Sequence, residues 1–112
     1  MKKIEAIIRS SRLEAVKEAL GKYNIHGMTV THVLGCGLQR GQTEYYRGNL
    51  YTINLLPKVK VEIVIPDNRL EEIIAIICRE ARTGAIGDGK IFIYPVENAI
   101  RIRTGEQGEG AI

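Results

Sequence analysis

The chain has 112 residues, of which 45% are hydrophobic and 26% charged, and its formal net charge is +3. This length predicts one domain with a modest core, and the composition is that of an ordinary globular protein. Lys and Arg are mixed with Asp and Glu, so the small positive excess does not argue for nucleic acid. No apolar run approaches the ~20 residues that span a bilayer or resembles a signal peptide, so we expect a cytoplasmic protein.

The first half of the chain predicts a strand, a helix and a second strand. In residues 3–9, apolar and polar residues alternate, and the inward-facing ones are Ile4, Ala6 and Ile8. Ser11 and Glu14 have the spacing of a capping box at the start of a helix. One face of that helix carries Leu13, Val16, Leu20 and Tyr23. A turn at residues 24–27 leads to a second strand at about residues 28–35, rich in Thr and Val.

The second half repeats this order. Residues 58–65 alternate strictly, with Val59, Val61, Ile63 and Ile65 on one face and Lys58, Lys60 and Glu62 on the other. Asn68 is the expected cap of the next helix, with Glu71 placed to reach back to it. The buried face of this helix, which runs to about Arg82, is Leu70, Ile73, Ile74, Ile77 and Ala81. Gly84 suits the left-handed position that ends a helix. Residues 90–95 are the last main strand, residues 100–103 alternate like a short extra one, and disorder is expected only at residues 105–112.

Two strand–helix–strand units in one small chain predict an α+β fold of the ferredoxin-like, split-βαβ type. Both helices would cover one face of the sheet. The other face would leave Val64 and several residues of the first half exposed, so packing against further copies of the chain is expected.

Residues 37–55 separate the two halves and are longer than the ~12–15 residues that a structureless connection usually has in a compact domain. The segment is polar at first and then contains Tyr45, Tyr46 and Tyr51. Such a loop suits a partner contact or a modification site. The alternative is a β-hairpin that extends the strands on either side.

Residues 83–90, Thr-Gly-Ala-Ile-Gly-Asp-Gly-Lys, are the second glycine-rich element. They match part of a phosphate-loop pattern, but Ile91 replaces the Ser or Thr that would hold magnesium. The segment also follows a helix and enters a strand, which is the reverse order, so we reject an NTPase. Glycine amides beside Lys90 still favour a phosphate. The alternative is a helix-ending turn with an incidental lysine.

Arg101 and Arg103 would point to the same side of a strand, where paired guanidinium groups bind phosphate oxygens. With Lys90 and residues 83–90 they would form a cradle for a triphosphate; the alternative is a solvated edge strand. Cys36 and Cys78 lack C-x-x-C spacing, and His26 and His32 lack metal-ligand spacing, so free thiols and no metal cluster are expected. Nothing in the sequence argues for a nucleophile or a general base.

These segments resemble the PII nitrogen-regulatory signal-transduction family over the whole chain. The strongest matches are residues 56–64 (Leu-Pro-Lys-Val-Lys-Val-Glu-Ile-Val), residues 83–93 (which begin Thr-Gly-Ala-Ile-Gly-Asp-Gly-Lys) and residues 100–106 (Ile-Arg-Ile-Arg-Thr-Gly-Glu). Residues 46–51 match more loosely. The resemblance implies a single domain over residues 1–112, with residues 37–55 as the family's T-loop, residues 83–90 as the phosphate-binding loop and residues 96–112 as a C-terminal segment.

The resemblance also implies a homotrimer that binds ATP or ADP in the clefts between subunits. The residues that it assigns to the nucleotide are Thr29, Gly35, Cys36, Gly37, Leu38, Gln39, Glu62, Val64, Gly87, Asp88, Gly89, Lys90, Arg101 and Arg103. Among them, Thr29, Glu62 and Val64 would surround the adenine. The effector 2-oxoglutarate would bind beside Mg-ATP at Gln39, Arg40, Gly41 and Lys58. Gln39 would share the Mg²⁺ ion with ATP and 2-oxoglutarate, and Lys58 would pair with the distal carboxylate.

The implied role is sensing, not catalysis, with at most a weak ATPase activity. The T-loop would contact an ammonium channel, glutamine synthetase or another nitrogen-regulatory enzyme, and the membrane would be reached only through a channel. We expect no nucleic-acid partner. Tyr51 matches the tyrosine that many bacterial members have uridylylated, although Asn49 and Leu50 differ from the residues usual before it. The alternative function is a divergent PII-like module for another small metabolite, against which Gln39 and Lys58 argue.

Overall fold

The computed structural model describes residues 1–36, 44–46, 49–51 and 55–112. The strands are β1 (Lys2–Arg9), β2 (Thr29–Gly35), β3 (Glu44–Tyr46), β4 (Asn49–Tyr51), β5 (Leu56–Ile65) and β6 (Gly89–Pro95). The helices are α1 (Leu13–Lys22) and α2 (Leu70–Ala81), and short 3₁₀ turns occupy Ser10–Arg12, Asp67–Arg69 and Gly108–Ala111. Neither helix in these ranges is long and apolar enough to cross a membrane.

Four strands form one antiparallel sheet in the order β2-β5-β1-β6, which confirms the ferredoxin-like α+β fold. The two central strands pair in strict register, with Ile4 opposite Ile63 and Arg9 opposite Lys58. Because residues directly opposite each other share a face, this register puts the apolar set of each strand on the same side. That side packs against α1 and α2, and the core residues it shares with them include Ile4, Ile8, Val16, Leu20, Val59, Ile63, Ile73 and Ile77.

The predictions of β1, β2, β5 and β6 were confirmed, but both predicted helix caps were wrong. A 3₁₀ turn precedes each helix, and the N-cap residues are Arg12 and Arg69, neither of which makes a side-chain capping hydrogen bond. Ser11 and Asn68 therefore lie inside the 3₁₀ turns, one residue too early to cap the α-helix. Tyr23, predicted on the buried face, is 40% exposed because α1 ends at Lys22.

The predictions for the C-terminal segment also need correction. Residues 100–103 are not a strand: Ile100 forms an isolated bridge with Gln107, and residues 102–104 are a turn. Gly84 does have a positive φ of 90°, but α2 has already ended at Ala81 and its C-cap is the extended Arg82. The expected disorder at residues 105–112 is contradicted by the 3₁₀ turn Gly108–Ala111, which the hydrogen bond from Gly108 N to Ala99 O ties to the rest of the segment.

In the segment between the halves, β3 and β4 pair with each other as a separate two-stranded sheet. The sequence left open a β-hairpin that extends the strands on either side. The β3–β4 pair is such a pairing of two strands, but it is not part of the main sheet. The structure describes only the backbone of Tyr45, Tyr46 and Tyr51, so the roles expected of their side chains stay predictions, and residue 37 lies outside the described part of the chain.

The helices cover the centre of the sheet and leave its two edge strands accessible. Large apolar side chains are exposed on β2, where Leu34 is 66% exposed, and on β6, where Phe92, Ile93 and Tyr94 are all more than 40% exposed. The face away from the helices carries charged residues in its centre, with the Lys3 ammonium 3.4 Å from Glu62 and 4.8 Å from the centre of the Tyr94 ring. Apolar side chains exposed at both edges are typical of a surface that another protein covers.

Candidate functional site

Residues 83–90 form a turn, here called the glycine loop, that joins α2 to the edge strand β6. Three of its glycines have positive φ angles: 90° at Gly84, 102° at Gly87 and 105° at Gly89. Gly89 is also packed tightly, because a Cβ atom placed there would lie 1.8 Å from the carbonyl oxygen of Ile7 in β1. The loop can therefore approach the sheet closely only with glycine at this position.

The carboxylate of Asp88 holds the loop together from within. It accepts hydrogen bonds from the backbone N–H of Thr83 at 2.8 Å, the N–H of Gly84 at 2.9 Å and the hydroxyl of Thr83. The bonds from Thr83, followed by those from Arg9 and Gly84, hold the pKa of Asp88 well below its usual range. The side chain of Asp88 is thus bound within the loop itself. Its backbone N–H is the group that a ligand could contact.

Two cations from the sheet bind the other side of the loop. Arg9 donates from Nε to Asp88 Oδ1 at 3.0 Å and from Nη2 to the carbonyl oxygen of Ile86 at 2.8 Å. Lys58 donates from Nζ to the carbonyl oxygen of Gly87 at 2.6 Å. Lys58 is only 9% exposed, and burial is the main cause of its lowered pKa, to which neighbouring Arg9 adds while Asp88 opposes it.

Gly35 completes this end of the sheet. A Cβ atom there would lie 3.0 Å from Cγ of Lys58, so the glycine makes room for the lysine stem. Cys36 follows as an exposed free thiol, and Lys90 is exposed at the start of β6, opposite Ile7. Lys58, Gly35 and Arg9 therefore lie together with the glycine loop at this end of the sheet.

The lowered pKa of Asp88 should make the stability of the fold depend on pH. A carboxylate with a depressed folded-state pKa stabilises the fold above its unfolded pKa of about 3.9, and that contribution is lost as the pH falls towards the folded value. We therefore expect Asp88→Asn to lower the melting temperature at pH 7, and the difference from the unsubstituted chain to shrink from about pH 4 downward. Thermal unfolding followed by circular dichroism at several pH values measures this difference.

Glu14→Gln is the control, since Glu14 pairs with exposed Lys17 at 3.0 Å, and it should change the melting temperature little. A difference between Asp88→Asn and the unsubstituted chain that stays constant from pH 7 to pH 3 would contradict the role given to this carboxylate.

A cleft of about 770 Å³ lies at the opposite end of the sheet. Thr29, Glu62, Val64 and Arg101 all line it, together with the turn at residues 24–28 and with Pro66, Glu109 and Ile112. Its volume is within the range of small-molecule sites, and its lining combines apolar side chains with a few charged ones. The carboxylate of Glu62 is approached by two ammonium groups, those of Lys3 at 3.4 Å and Lys60 at 3.6 Å.

Arg101 and Arg103 belong to this end of the molecule, but not in the geometry that a strand would give. Arg101 begins a tight turn closed by the hydrogen bonds from Arg101 N to Glu106 O at 2.8 Å and from Gly105 N to Arg101 O at 2.7 Å. Its guanidinium lies 3.3 Å from Glu106 Oε1. Arg103 is exposed within the turn. An anion that takes Arg101 must therefore compete with a half-exposed ion pair, which costs little to break.

The predicted nucleotide residues thus fall into two groups in one chain. Thr29 and Gly35 are the two end residues of β2, which at ~3.3 Å per residue places them about 20 Å apart. The glycine-loop group lies at the Gly35 end, and the cleft group lies at the Thr29 end. The remaining predicted residues, Gly37, Leu38, Gln39, Arg40 and Gly41, lie outside the described part of the chain.

Sequence reasoning missed Arg9 and the role of Thr83. Arg9 looked like a solvent-facing residue of an alternating strand, and its acceptors are 77 and 79 residues away along the chain. Only the pairing of β1 with β5 and β6 reveals the contact, so no local pattern could have found it.

Comparison with known proteins gives consistent results. The sequence profile of the family described as nitrogen regulatory protein P-II matches residues 1–106. Similar curated proteins include the nitrogen regulatory protein P-II of Pasteurella multocida, 56% identical, and that of Haemophilus influenzae, 55% identical. The nitrogen regulatory protein P-II 1 of Escherichia coli K12 is 54% identical. Each of these alignments covers all 112 residues of this chain and the whole of the relative.

Proposed function

The chain belongs to the nitrogen regulatory protein P-II family, and from that premise we propose that it is a sensor of ATP, ADP and 2-oxoglutarate that regulates nitrogen assimilation. In this proposal it works as a homotrimer, and the nucleotide binds between protomers. The T-loop, residues 37–55, contacts the target protein. The role is regulatory, and any ATP hydrolysis is too slow to be the main function.

One observation supports this proposal more than any other: the residues expected around the nucleotide occupy two opposite ends of the sheet. Within one chain the two groups are about 20 Å apart along β2, too far to enclose the phosphates and the base of one nucleotide together. Each group would be completed by the opposite end of a neighbouring protomer. Head-to-tail contacts of this kind can close into a ring of three or more protomers. A trimer is the smallest such ring.

The chemistry of the two ends suits the two parts of a nucleotide. At the glycine loop, the backbone of Gly87 to Gly89 and the ammonium of Lys90 would hold phosphate oxygens. Arg101 and Arg103 of the neighbouring protomer would reach the same phosphates, because guanidinium groups bind phosphate bidentately. At the cleft, the apolar surface of Val64 with the polar groups of Thr29 and Glu62 would surround the adenine.

The effector would use Lys58. Its ammonium is nearly buried and already donates to the carbonyl oxygen of Gly87 at 2.6 Å. Binding of the effector would replace this neutral acceptor with a charged carboxylate. Mg²⁺ would be shared by ATP, 2-oxoglutarate and Gln39, whose amide oxygen is a ligand of the kind that Mg²⁺ prefers. Arg40 and Gly41 would contribute beside it, and Gly37 and Leu38 would line the base of the loop.

Assembly would also cover the apolar side chains at the edges of the sheet. Leu34 on β2 and Phe92, Ile93 and Tyr94 on β6 are exposed in the isolated chain, and Ile102 in the C-terminal turn is 99% exposed. Burying such side chains against a second copy stabilises an oligomer by about 25 cal/mol for each Å² removed from water. Target choice would follow from ligand-dependent states of the T-loop, and Tyr51 is the candidate for uridylylation. An ammonium channel, glutamine synthetase or a nitrogen-regulatory enzyme is the proposed target.

Isothermal titration calorimetry with ATP, ADP and 2-oxoglutarate tests the proposal on the purified chain. We expect ATP and ADP to compete for one site per protomer, and 2-oxoglutarate to bind only in the presence of Mg-ATP. Lys90→Ala should weaken ATP binding roughly tenfold or more, the effect of removing one charge-assisted hydrogen bond. Lys22→Ala, which removes another exposed lysine at the end of α1, is the matched control.

Light scattering in the same buffer should give three protomers per particle. A monomeric chain that binds no adenine nucleotide would refute the proposal. Nucleotide binding without any response to 2-oxoglutarate would instead favour a P-II-like sensor of another metabolite. Phosphate release at a rate typical of an ATPase, abolished by Lys90→Ala, would favour an enzyme.

A further inference from the structure

The guanidinium of Arg9 makes two side-chain hydrogen bonds from the first strand to the glycine loop, one to Asp88 and one to the carbonyl oxygen of Ile86. We propose that Arg9 is a positioning residue of the nucleotide site, which holds residues 86–88 against the sheet so that the loop can receive phosphate. This inference rests on the nucleotide site proposed above. Arg9 itself need not touch the ligand.

The geometry explains why an arginine can do this. Its planar fork reaches two acceptors at once, Asp88 Oδ1 at 3.0 Å and the carbonyl oxygen of Ile86 at 2.8 Å. Together with Lys58, which takes the carbonyl oxygen of Gly87, it binds the electronegative groups of three consecutive residues. These are the groups that would repel a phosphate, and both cations hold them on the sheet side of the loop.

Arg9 and Lys58 are direct neighbours on paired strands, where two like charges are unfavourable unless an anion offsets them. The carboxylate of Asp88 is that anion. The two cations have different tasks, because Lys58 is the residue expected to turn to an effector carboxylate. Once Lys58 leaves Gly87, the contacts from Arg9 to Ile86 and Asp88 still fix the loop.

A simpler explanation would be that Arg9 only adds positive charge near an anionic ligand. The two explanations predict opposite effects of a substitution at Asp88 on ATP affinity. If charge alone mattered, Asp88→Asn would remove a negative group and strengthen ATP binding. If the Arg9–Asp88 contact positions the loop, Asp88→Asn weakens ATP binding, and so does Arg9→Gln.

The experiment measures the Kd of ATP and of adenosine for Arg9→Gln, Asp88→Asn and the double variant. We expect each single variant to bind ATP roughly tenfold more weakly, as for the loss of one charge-assisted contact. The double variant should lose less affinity than the two single losses combined, since both single variants remove the Arg9–Asp88 contact. Adenosine, which has no phosphate, should bind all of them like the unsubstituted chain, whereas a damaged fold would weaken both ligands.

Arg12→Gln is the matched control. Arg12 has a similarly exposed side chain, 34% against 26% for Arg9, and it likewise donates to a backbone carbonyl, that of Glu80, at 2.6 Å, and lies near a carboxylate, that of Glu80. None of these partners is in the glycine loop, so ATP binding should not change. Arg9→Lys keeps the positive charge but not the planar fork that reaches two acceptors, so it should recover only part of the affinity that Arg9→Gln loses.

The outcomes separate this inference from the proposed function. Unchanged ATP binding by Arg9→Gln, stronger binding by Asp88→Asn, or an equal loss in Arg12→Gln would overturn the role of Arg9 while leaving the nucleotide site in place. Equal losses for ATP and adenosine would show a purely structural residue and would also overturn it. If the unsubstituted chain binds neither ATP nor ADP, the proposed function fails and the inference fails with it.

Discussion

Gly89→Ala is expected to destabilise the chain by more than ~4 kcal/mol, a loss that few single substitutions reach. The new Cβ atom would lie 1.8 Å from the carbonyl oxygen and 2.9 Å from the carbonyl carbon of Ile7. Ile7 cannot yield easily, because it is paired on both sides, with Lys60 of β5 and Lys90 of β6. The positive φ of 105° adds strain that alanine tolerates poorly.

Gly84→Ala is the matched control, since Gly84 lies in the same loop with a φ of 90° but has nothing within 4 Å of the added methyl group. It should lose only about 1–2 kcal/mol, the conformational cost alone. Urea unfolding of both variants gives the two free energies. Similar losses in the two would mean that Gly89 is not pressed against β1.

A mixture of two variants that each bind ATP weakly is expected to regain high-affinity nucleotide sites. Lys90→Ala breaks the glycine-loop end and leaves the arginine end intact, while Arg101→Ala combined with Arg103→Ala does the reverse. In a trimer with head-to-tail contacts, refolding the two chains together at equal amounts makes about one quarter of the sites from two intact ends. Calorimetry should therefore find high-affinity ATP sites in the mixture at about 0.25 per protomer, and almost none in either variant alone.

The same two preparations, refolded separately and then combined without unfolding, are the control and should stay without high-affinity sites if the subunits do not exchange. Should the refolded mixture show no recovery, each site would have to lie within a single chain, and the division of the site between protomers would be wrong.

The centre of the sheet was predictable because buried residues alternate along β1 and β5. In β5 the buried residues Val59, Val61, Ile63 and Ile65 all occupy positions of one face, and a shift of one residue would expose every one of them. Helix starts were less predictable. Ser11 and Asn68 have the chemistry of caps, but a 3₁₀ turn before each helix moves the cap position to an arginine. Local chemistry does not determine how tightly that first turn winds.

The candidate site was predictable where a local motif defines it, as at the glycine loop. The side-chain partners of that loop were not, since Asp88 turns to Thr83 and Arg9 instead of to a ligand. Arg101 and Arg103 were assigned to a strand because their spacing alternates. Gly105, with a φ of 75°, was the local sign of the turn that they form instead.

Dividing the candidate site between the two ends of β2 has a consequence for how the protein responds to its surroundings. In the proposed trimer, capture of a nucleotide would be an event between molecules, so its strength would depend on the concentration of the protein. In dilute solution, where protomers separate, the affinity for the nucleotide should decrease. The nucleotide should in turn stabilise the assembled protomers by mass action. Abundance of the protein would then be an input to the sensor, alongside the concentrations of its ligands.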